Sequence, residues 1–266
     1  MMKSLRIDGH VHISNAIIKD GTLDNNRIRK YIEKYRDLGI EKVVLIEGPD
    51  IVLKLMDICG DFIIPVFRID CDNTRIKQIE SYFKQGCKGI KFIAPQHPYS
   101  DARYFPLYEC IASYGGVAVF HTGYLTHDNY RIYTNINILD MKPAHLDAIA
   151  RRFPELKILM AHYGNPWWEE AWKVSYSHPN IYTDLSGGTA YLRSRFLWKE
   201  LFAPDGKLFL PSFEKLCFAS DLIYFGDILE IEPYFEFYDS LFEVVGASKE
   251  LIEKVNHGNI EKLFSL

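Results

Sequence analysis

The sequence predicts a (β/α)₈ barrel of the TIM type, in which eight parallel strands form a closed sheet inside a ring of helices. Short apolar runs alternate with helical patterns along nearly all of the 266 residues, as in successive βαβ units. Several runs, including residues 43–46 and 117–120, are almost continuously apolar, which is typical of parallel strands covered on both faces. Because one such barrel usually takes ~250 residues, we expect a single α/β domain over residues 1–266.

Eight apolar runs are candidate strands. They are Leu5–Val11, Lys42–Ile46, Phe62–Phe67, Gly89–Ile93, Gly116–Phe120, Lys157–Ala161, Asn180–Thr183 and Leu216–Ser220. No internal repeat, linker or change of composition divides the chain. A doubly wound open sheet is the alternative arrangement. No glycine-rich phosphate-binding motif follows the first run, however, which disfavours the dinucleotide-binding version of that sheet.

Helices are expected between the strands. Residues 27–38 carry apolar side chains at helical spacing, with Asp24 as the N-cap and Gly39 as the stop. The other predicted helices are Thr74–Gln85, Arg103–Tyr114, Pro143–Phe153, Pro166–Ser177, Tyr191–Phe202, Asp227–Val245 and Ser248–Phe264. The longest connection without a helical pattern covers 22 residues, from His121 to Lys142. Such a long connection in a compact domain is usually functional, so we expect any lid over the site to come from it.

Charge and cysteine content narrow the class of protein. The net charge of −4 and the pI near 6.1 disfavour a nucleic-acid-binding protein, which usually carries a basic surface. No stretch is apolar enough to predict a membrane span or a signal peptide. The five cysteines form no C-x-x-C motif, which favours free thiols in a reducing compartment. We therefore expect a cytoplasmic protein that acts on a small molecule and binds neither nucleic acid nor membrane.

The end of the first predicted strand carries two histidines, His10 and His12. Residues two apart on a strand point to the same face, and their Cα atoms lie ~6.6 Å apart at the usual rise of ~3.3 Å per residue. This spacing suits two ligands of one metal ion. Two histidines of the core or the rim would give the same pattern, so the pair alone is weak support for a metal site.

Three further residues at strand ends favour the metal site. His121 follows the fifth run, His162 the sixth and Asp221 the eighth. In a (β/α)₈ barrel the carboxyl ends of the strands carry the active site, so these side chains are expected to meet the two histidines of the first strand. Imidazoles and a carboxylate around one divalent ion, with a position open to water, form a catalytic zinc-type site. Zinc is the metal expected first, and manganese and iron also suit these ligands.

At these residues the chain resembles the amidohydrolase superfamily, and most closely its amidohydrolase-related branch, also called amidohydrolase 2. The segments that carry the resemblance follow the family's order along the chain. They are Ile7–His12, Gly89–Lys91, His121–Gly123, Ala161–Gly164, Tyr182–Ser186, Ala219–Asp221 and Gly258–Phe264. The resemblance implies a (β/α)₈ barrel with a metal ion at its C-terminal face. One departure follows Asp221, where residues 222–225 contain no proline, and this leaves the shape of the loop open.

The resemblance also implies roles for individual residues. Four of them match the ligands of a mononuclear site, namely His10, His12, His121 and Asp221. His162 matches a histidine that either binds the metal or acts on substrate and water, so His162 and Asp221 are the candidate catalytic residues. Lys91 matches a lysine that is carboxylated and bridges two metals in binuclear members. Its position within the strand favours instead an unmodified lysine that binds an anionic substrate.

Other residues near the strand ends are candidates for substrate binding. Arg68 follows the third run, where its guanidinium either binds a carboxylate or phosphate through two hydrogen bonds or forms a salt bridge with Asp70 or Asp72. Tyr124 and Tyr163 follow the strands that carry His121 and His162, and they either line the pocket or pack against the barrel.

Two acidic residues also follow strands, Glu47 after the second and Asp184 after the seventh. Metal-binding histidines usually donate their other ring N–H to a nearby acceptor. Asp184 is therefore either the acceptor that orients a ligand histidine or part of a polar rim.

Two reactions fit such a site. The first is hydrolysis of a small anionic amide or lactone by metal-activated water, in which Asp221 takes a proton from the water and His162 stabilises the oxyanion or moves a proton. The second is metal-dependent, non-oxidative decarboxylation of an aromatic or muconate-like acid, in which no water attacks. A lactonase that works without metal and a non-catalytic binding barrel are further alternatives. The resemblance also implies homo-oligomerisation, with a homodimer as the simplest form.

Overall fold

The computed structural model describes residues 5–14, 17–19, 22–125, 135–187, 189–226 and 229–266, and these form eleven strands. The strands are β1 (Arg6–Ile13), β2 (Ile18–Lys19), β3 (Thr22–Leu23), β4 (Ile40–Glu47), β5 (Ile63–Arg68), β6 (Gly89–Phe92), β7 (Val117–His121), β8 (Lys157–Ala161), β9 (Ile181–Asp184), β10 (Leu216–Cys217) and β11 (Leu222–Tyr224). Strands β2 and β3 form an antiparallel hairpin. The other nine form one parallel sheet, and all eight predicted strands belong to it.

Helices connect successive strands of the sheet, as the alternating pattern predicts. They are α1 (Asn25–Asp37), α2 (Pro49–Cys59), α3 (Ile76–Lys84), α4 (Phe105–Ser113), α5 (Ala144–Arg152), α6 (Trp168–Ser177), α7 (Arg195–Phe202), α8 (Leu210–Phe213), α9 (Glu232–Val245), α10 (Lys249–Glu253) and α11 (Asn259–Phe264). A π-helical turn, Lys254–Gly258, joins the last two, so the predicted helix over residues 248–264 is interrupted. Helix α2 was not predicted, although Pro49 in its first turn is a typical start signal.

The sheet closes into a barrel through the segment 216–224. Its order is β10-β9-β8-β7-β6-β5-β4-β1-β11, so β10 and β11 lie at opposite ends although they adjoin in the chain. Between them, the N–H of Gly9 donates to the carbonyl of Phe218 at 2.9 Å, and the N–H of Asp221 donates to the carbonyl of His10 at 2.8 Å. The segment therefore fills one strand position between β9 and β1. Eight strand positions result, which confirms the (β/α)₈ fold.

Two apolar layers hold the barrel together. The inner layer contains residues of alternating strand positions, such as Val44, Ile46, Val117 and Val119, and α11 adds Ile260, Leu263 and Phe264 to it. The side chain of Asn259 donates to the carbonyls of Glu214 and Leu216 at the start of β10. Helix α11 therefore covers the amino ends of the strands. The larger outer layer packs the sheet against the surrounding helices.

The remaining expectations about the whole chain concern thiols and membranes. All five cysteines lie within the described ranges, where each is a buried free thiol, as expected. Across those same ranges, no helix has the length and apolar character that crossing a bilayer requires.

A β-bulge in β1 orients the first pair of histidines. Strand β1 pairs with β4 at Asp8–Val43 and again at Val11–Leu45, so three steps on β1 face two steps on β4. The extra residue shifts the alternation of side chains. As a result Ile7 belongs to the inner layer and Val11 to the outer one. A Cβ atom on Gly9 would lie 2.9 Å from Ile260 Cδ1, which favours glycine within the bulge.

The closing seam between β1 and the last strand position is held by one buried carboxylate. Asp8 accepts hydrogen bonds from the N–H and the hydroxyl of Ser220, at 2.9 and 2.6 Å, and from the hydroxyl of Tyr224 at 3.0 Å. The N–H of His10 is a fourth donor, at 3.3 Å. Burial outweighs these hydrogen bonds and raises the pKa of Asp8 to about 7.

Removing this carboxylate should loosen the seam. We expect Asp8→Ala to lower the free energy of unfolding by roughly 2–4 kcal/mol, because buried donors left without an acceptor cost ~1–3 kcal/mol each. The measurement is urea denaturation followed by circular dichroism. Asp57→Ala, at an exposed site in α2, is the matched control and should stay within ~0.5 kcal/mol of wild type. Equal losses in both variants would contradict a special role for Asp8.

Candidate metal centre

The five predicted ligands lie together at the carboxyl ends of the barrel strands. His10 and His12 lie on β1, and His121 is the last residue of β7. His162 directly follows β8, and Asp221 lies between β10 and β11. The closed parallel sheet brings these strand ends to one side of the barrel, opposite α11.

The distances place these side chains in one cluster. The ring of His10 lies 5.5 Å from that of His12 and 4.8 Å from that of His162, and His121 lies 4.6 Å from His162, centroid to centroid. Asp221 Oδ1 is 3.5 Å from His10 Nε2 and 3.2 Å from His12 Nε2. One ligand atom each of His10, His162 and Asp221 lies within 4.8 Å of the others. These three form the tightest group, with His12 and His121 beside it.

Three of the histidines turn Nδ1 toward acceptors of the protein. His12 Nδ1 lies 2.9 Å from the carbonyl of Ile46, and His162 Nδ1 lies 3.0 Å from the carbonyl of Ser186. A carbonyl accepts only, so Nδ1 carries the proton in both rings. His10 Nδ1 faces Asp184 Oδ2 at 3.6 Å. Each ring therefore has Nε2 left to serve as a metal ligand, which is the usual arrangement at metal sites.

Backbone conformation at two strand ends aims the ligands. His162 has φ 67° and Asp221 has φ 65°, both in the left-handed region that residues other than glycine rarely adopt. Such strain persists only where the surrounding structure holds it, and it is common at functional sites. Gly187 allows the close approach of Asp221, because a Cβ atom there would lie 2.3 Å from Asp221 Oδ2. The missing proline after Asp221 also matters, since residues 222–224 continue as β11 and pair with β1.

Lys91, on β6, reaches the cluster from inside the barrel and contacts His10. Its ammonium lies 3.3 Å from His10 Nε2, and the residue is almost fully buried. Burial lowers the pKa of Lys91 to about 8, although the carboxylates of Asp221 and Asp184 partly oppose that effect. Lys91 is thus a buried cation beside a candidate metal ligand, in position either to hold an anion or to be modified.

Most of the imidazoles are held neutral. Burial, followed by the charge of Lys91, lowers the pKa of His10 to about 3. Burial also lowers the pKa of His162, and it lowers that of His121 far below its usual value. A histidine must be neutral to bind a metal ion, so these three are ready to bind one without losing a proton.

His12 and Asp221 form the charged part of the cluster. Burial would lower the pKa of His12, but hydrogen bonds to Asp221 and Glu47 outweigh it and raise that pKa to about 9. The pKa of Asp221 lies well below its usual range; burial opposes this shift, and electrostatic interactions with the rings of His10 and His162, together with the hydrogen bond and charge of His12, produce it. In the metal-free state His12 therefore acts as the partner cation of Asp221.

The donor set fits a divalent ion. His121 Nε2 is buried and has no hydrogen-bond partner among the described residues. Burying a polar nitrogen without a partner costs free energy, and a bound ion would remove that cost. Imidazole nitrogens and a carboxylate are the ligands that catalytic zinc sites use. His10, His12, His121, His162 and Asp221 are the residues that would hold the ion.

Arg68 lies beside this cluster, at the end of β5. Its guanidinium is 3.4 Å from Glu47 Oε2, so its partner among the described carboxylates is Glu47 rather than Asp70 or Asp72, the two weighed from the sequence. It lines an open cavity of about 480 Å³ together with residues of the loops after β5 and β6. A cation at the edge of a cavity next to the cluster is suited to bind an anionic group.

The two tyrosines predicted near the pocket are placed differently. Tyr124 lies after β7, is 57% exposed, and packs on Trp167 with ring centroids 5.4 Å apart. Tyr163 is fully buried and packs against Trp198 and Phe202 of α7, so it belongs to the outer apolar layer. The structure brings neither tyrosine into the cluster of histidines. Residues 126–134 of the predicted lid lie outside the described residues.

Three polar residues lie around the cluster. The sequence left the roles of Asp184 and Glu47 open and gave no role to Ser186. Asp184 is fully buried and accepts from the N–H of His162 at 2.9 Å, as the orienting role would require. Ser186 donates to Asp184 at 2.5 Å, and its carbonyl faces His162 Nδ1. Glu47 lies 3.2 Å from His12 Nδ1. The signal was available for Asp184 and Ser186, because Asp184 ends β9 and Ser186 lies two residues beyond it, next to the strand that His162 follows.

The fold is a (β/α)₈ barrel, and histidines and an aspartate lie at the carboxyl ends of its strands. This combination is typical of barrel enzymes that bind a metal ion. The chain belongs to the amidohydrolase family, whose model, described as "Amidohydrolase", matches residues 49–266. This confirms the family that the motifs indicated. The match begins after β1 and β4, so it does not include His10 and His12, which the barrel brings to the site.

Several solved structures share the fold. An uncharacterized TIM-barrel protein from Bordetella bronchiseptica superposes with a TM-score of 0.67 at 18% identity, covering 98% of both chains. A probable 2-pyrone-4,6-dicarboxylic acid hydrolase from Acinetobacter baumannii has a TM-score of 0.62 at 13% identity, covering 98% of this chain and 99% of its own. The 5-carboxyvanillate decarboxylase of Sphingomonas paucimobilis has the same score, identity and coverage.

One curated protein is similar over a short stretch. Protein fluG of Emericella nidulans is 34% identical over 65 residues, which make up 24% of this chain and 7% of that protein. The match therefore covers a small part of either protein.

Metal binding should release a proton from His12. Its pKa is raised to about 9 in the metal-free protein, so it is charged at pH 7, whereas the lowered pKa values of the other three histidines leave them neutral. We expect about one proton to be released per Zn²⁺ at pH 7, and affinity to rise about tenfold per pH unit up to roughly pH 9. Calorimetry in buffers of different ionisation enthalpy measures the number of protons released per Zn²⁺ bound. Release of none would contradict the charged state of His12.

The metal content of the purified protein should depend on the histidines of the cluster and not on a histidine outside it. We expect His10→Ala to lose most of the bound metal, because it removes an Nε2 from the tightest group of ligand atoms. His257→Ala is the matched control, since His257 pairs with Glu261 on α11, at the other end of the barrel. Elemental analysis of protein purified without chelator gives the result. Equal metal content in both variants would contradict the ligand assignment.

Proposed function

We propose that this protein is a metal-dependent hydrolase that cleaves a small anionic amide or lactone. The observation that carries the proposal is the convergence of four histidines on Asp221, beside the buried ammonium of Lys91. A divalent ion, when bound, would lower the pKa of a coordinated water from 15.7 toward ~7 and polarise the carbonyl. Zinc is the metal we expect first, with manganese and iron as alternatives.

The residues of the cluster divide the work. Asp221, which is ionised, would accept a hydrogen bond from the attacking water and take its proton once the metal has made that water acidic. His162 would move a proton through Nε2, because its Nδ1 proton is engaged with the carbonyl of Ser186 and Nε2 is left as a proton acceptor. Asp184 would keep His162 and His10 in place. General acid–base catalysis by such groups contributes ~10²–10⁴-fold to the rate.

The charges beside the cluster suggest an anionic substrate. Lys91 supplies a buried cation inside the barrel, and Arg68 supplies a second one at the edge of the cavity. The two are neighbours in register on β5 and β6, so both lie on the same side of the site. A carboxylate that bridges from the metal centre to Arg68 would be held at both ends.

Decarboxylation of an aromatic or muconate-like acid is the second candidate. The observation that favours it is the position of Lys91, 3.3 Å from His10 Nε2, where an ammonium could hold a substrate carboxylate against the metal. One structure with the same fold is a 5-carboxyvanillate decarboxylase. In this reaction no water attacks, and Asp221 or His162 would take a proton from an acidic group of the substrate and pass it to the ring carbon that loses CO₂.

A substrate panel separates the two reactions. Metal-loaded enzyme is incubated with lactones, amides and aromatic carboxylic acids. Acid release from the lactones is followed in a pH-stat, amine or ammonia release from the amides is assayed, and CO₂ is measured in the headspace. We expect hydrolysis of an anionic lactone or amide, and loss of at least ~10²-fold in kcat for Asp221→Asn. CO₂ release without hydrolysis would favour the second candidate. Turnover that persists unchanged in metal-free protein and in His10→Ala would overturn both.

A further inference from the structure

Glu47 connects the candidate metal centre to the cavity. It is the last residue of β4, and its side chain is only 15% exposed. Oε1 lies 3.2 Å from His12 Nδ1 and also accepts from the N–H of Ile13 at 3.4 Å. Oε2 lies 3.4 Å from the guanidinium of Arg68. One carboxylate thus faces a candidate metal ligand with one oxygen and a cation of the cavity with the other.

Toward His12, Glu47 acts on the nitrogen that does not face the cluster. The carbonyl of Ile46 and Glu47 Oε1 are both within reach of the Nδ1 proton. Together they hold a proton on Nδ1 and leave Nε2 facing Asp221. A carboxylate beside a ligand histidine makes the imidazole more electron-rich and therefore a stronger ligand. The charge on Glu47 should thus increase the affinity of the site for a cation.

Toward Arg68, the contact is a single long one. The guanidinium side chain is 43% exposed and lines the cavity, and a guanidinium has five N–H donors. Donors are therefore left for a second anion. As long as Arg68 pairs with Glu47, the positive charge of Arg68 weakens the electrostatic effect of the Glu47 carboxylate on His12.

We propose that Glu47 is a positioning residue through which an anion at Arg68 and a divalent ion at His12 strengthen each other's binding. An anion that pairs with Arg68 offsets the positive charge of the guanidinium. The negative charge of Glu47 then acts more strongly on His12. By linkage, a metal ion held by His12 must favour that anion by the same factor. The inference rests on the proposed function, because it needs both a bound metal and an anionic substrate.

The first experiment measures how much Glu47 contributes to the affinity of the site for Zn²⁺. Zn²⁺ affinity is determined by competition with a chromophoric chelator in wild type, E47A, E47Q and E41Q. We expect E47A to bind Zn²⁺ roughly 10–100-fold more weakly, the usual cost of losing a partner of a ligand histidine. E47Q keeps an acceptor oxygen but loses the charge, so its loss should be smaller yet measurable. Glu41 lies at the opposite end of β4, and E41Q should match wild type.

The second experiment is a cycle with Arg68. R68Q removes the cation that offsets the charge of Glu47, so it should tighten Zn²⁺ binding when Glu47 is present. Removing a positive charge also acts on the metal directly, and that direct effect remains in the E47Q background. We therefore expect the gain from R68Q to be at least about threefold larger in the wild-type background than in the E47Q background, as for residues in one network. The same gain in both backgrounds would overturn the proposal.

The outcomes distinguish this inference from the proposed function. If wild type and His10→Ala both fail to bind Zn²⁺, the metal centre is wrong and the coupling falls with it. If wild type binds Zn²⁺ and E47A stays within twofold of it, the metal centre stands and Glu47 has no positioning role. Far-UV circular dichroism checks folding. Should E47A fail to fold, the nearly isosteric E47Q and the R68Q cycle decide the matter.

Discussion

Closure of the barrel between β1 and the segment 216–224 is the constraint on which the candidate metal centre depends. The two strands come from opposite ends of the chain, and each supplies part of the cluster: His10 and His12 from one, Asp221 from the other. Asp8 holds the seam through four donors. Because Asp221 also donates its N–H to the carbonyl of His10, the same hydrogen bonds that close the sheet set the spacing of the candidate ligands.

Burial controls the charge state of the cluster. A group removed from water favours its neutral form unless an opposite charge lies close by. His10, His121 and His162 accordingly have lowered pKa values, whereas Asp221 and His12 stabilise each other as a charged pair. A divalent ion would take over the role of the His12 proton as the counter-charge of Asp221. The site is thus organised for a cation before one arrives.

The strands, most helices and the clustering of the five candidate ligands could be predicted, because apolar periodicity and the ends of strands are local signals. Non-local features could not. The bulge in β1 reverses the alternation that begins at Ile7, and without it His10 would face the helices. The seam formed by Asp8 requires partners 212 positions away. Tyr163 resembled a pocket residue, but the left-handed turn at φ 46° sends its ring into the outer layer.

The distance along the chain between Asp8 and Ser220, 212 positions, also bears on biosynthesis. Contacts between residues so far apart in sequence form late, since the loop between them must first be closed. While the ribosome is still adding residues beyond β9, His10 and His12 have neither Asp221 nor the last strand beside them. The full set of five candidate ligands therefore exists only after the final strand has been translated.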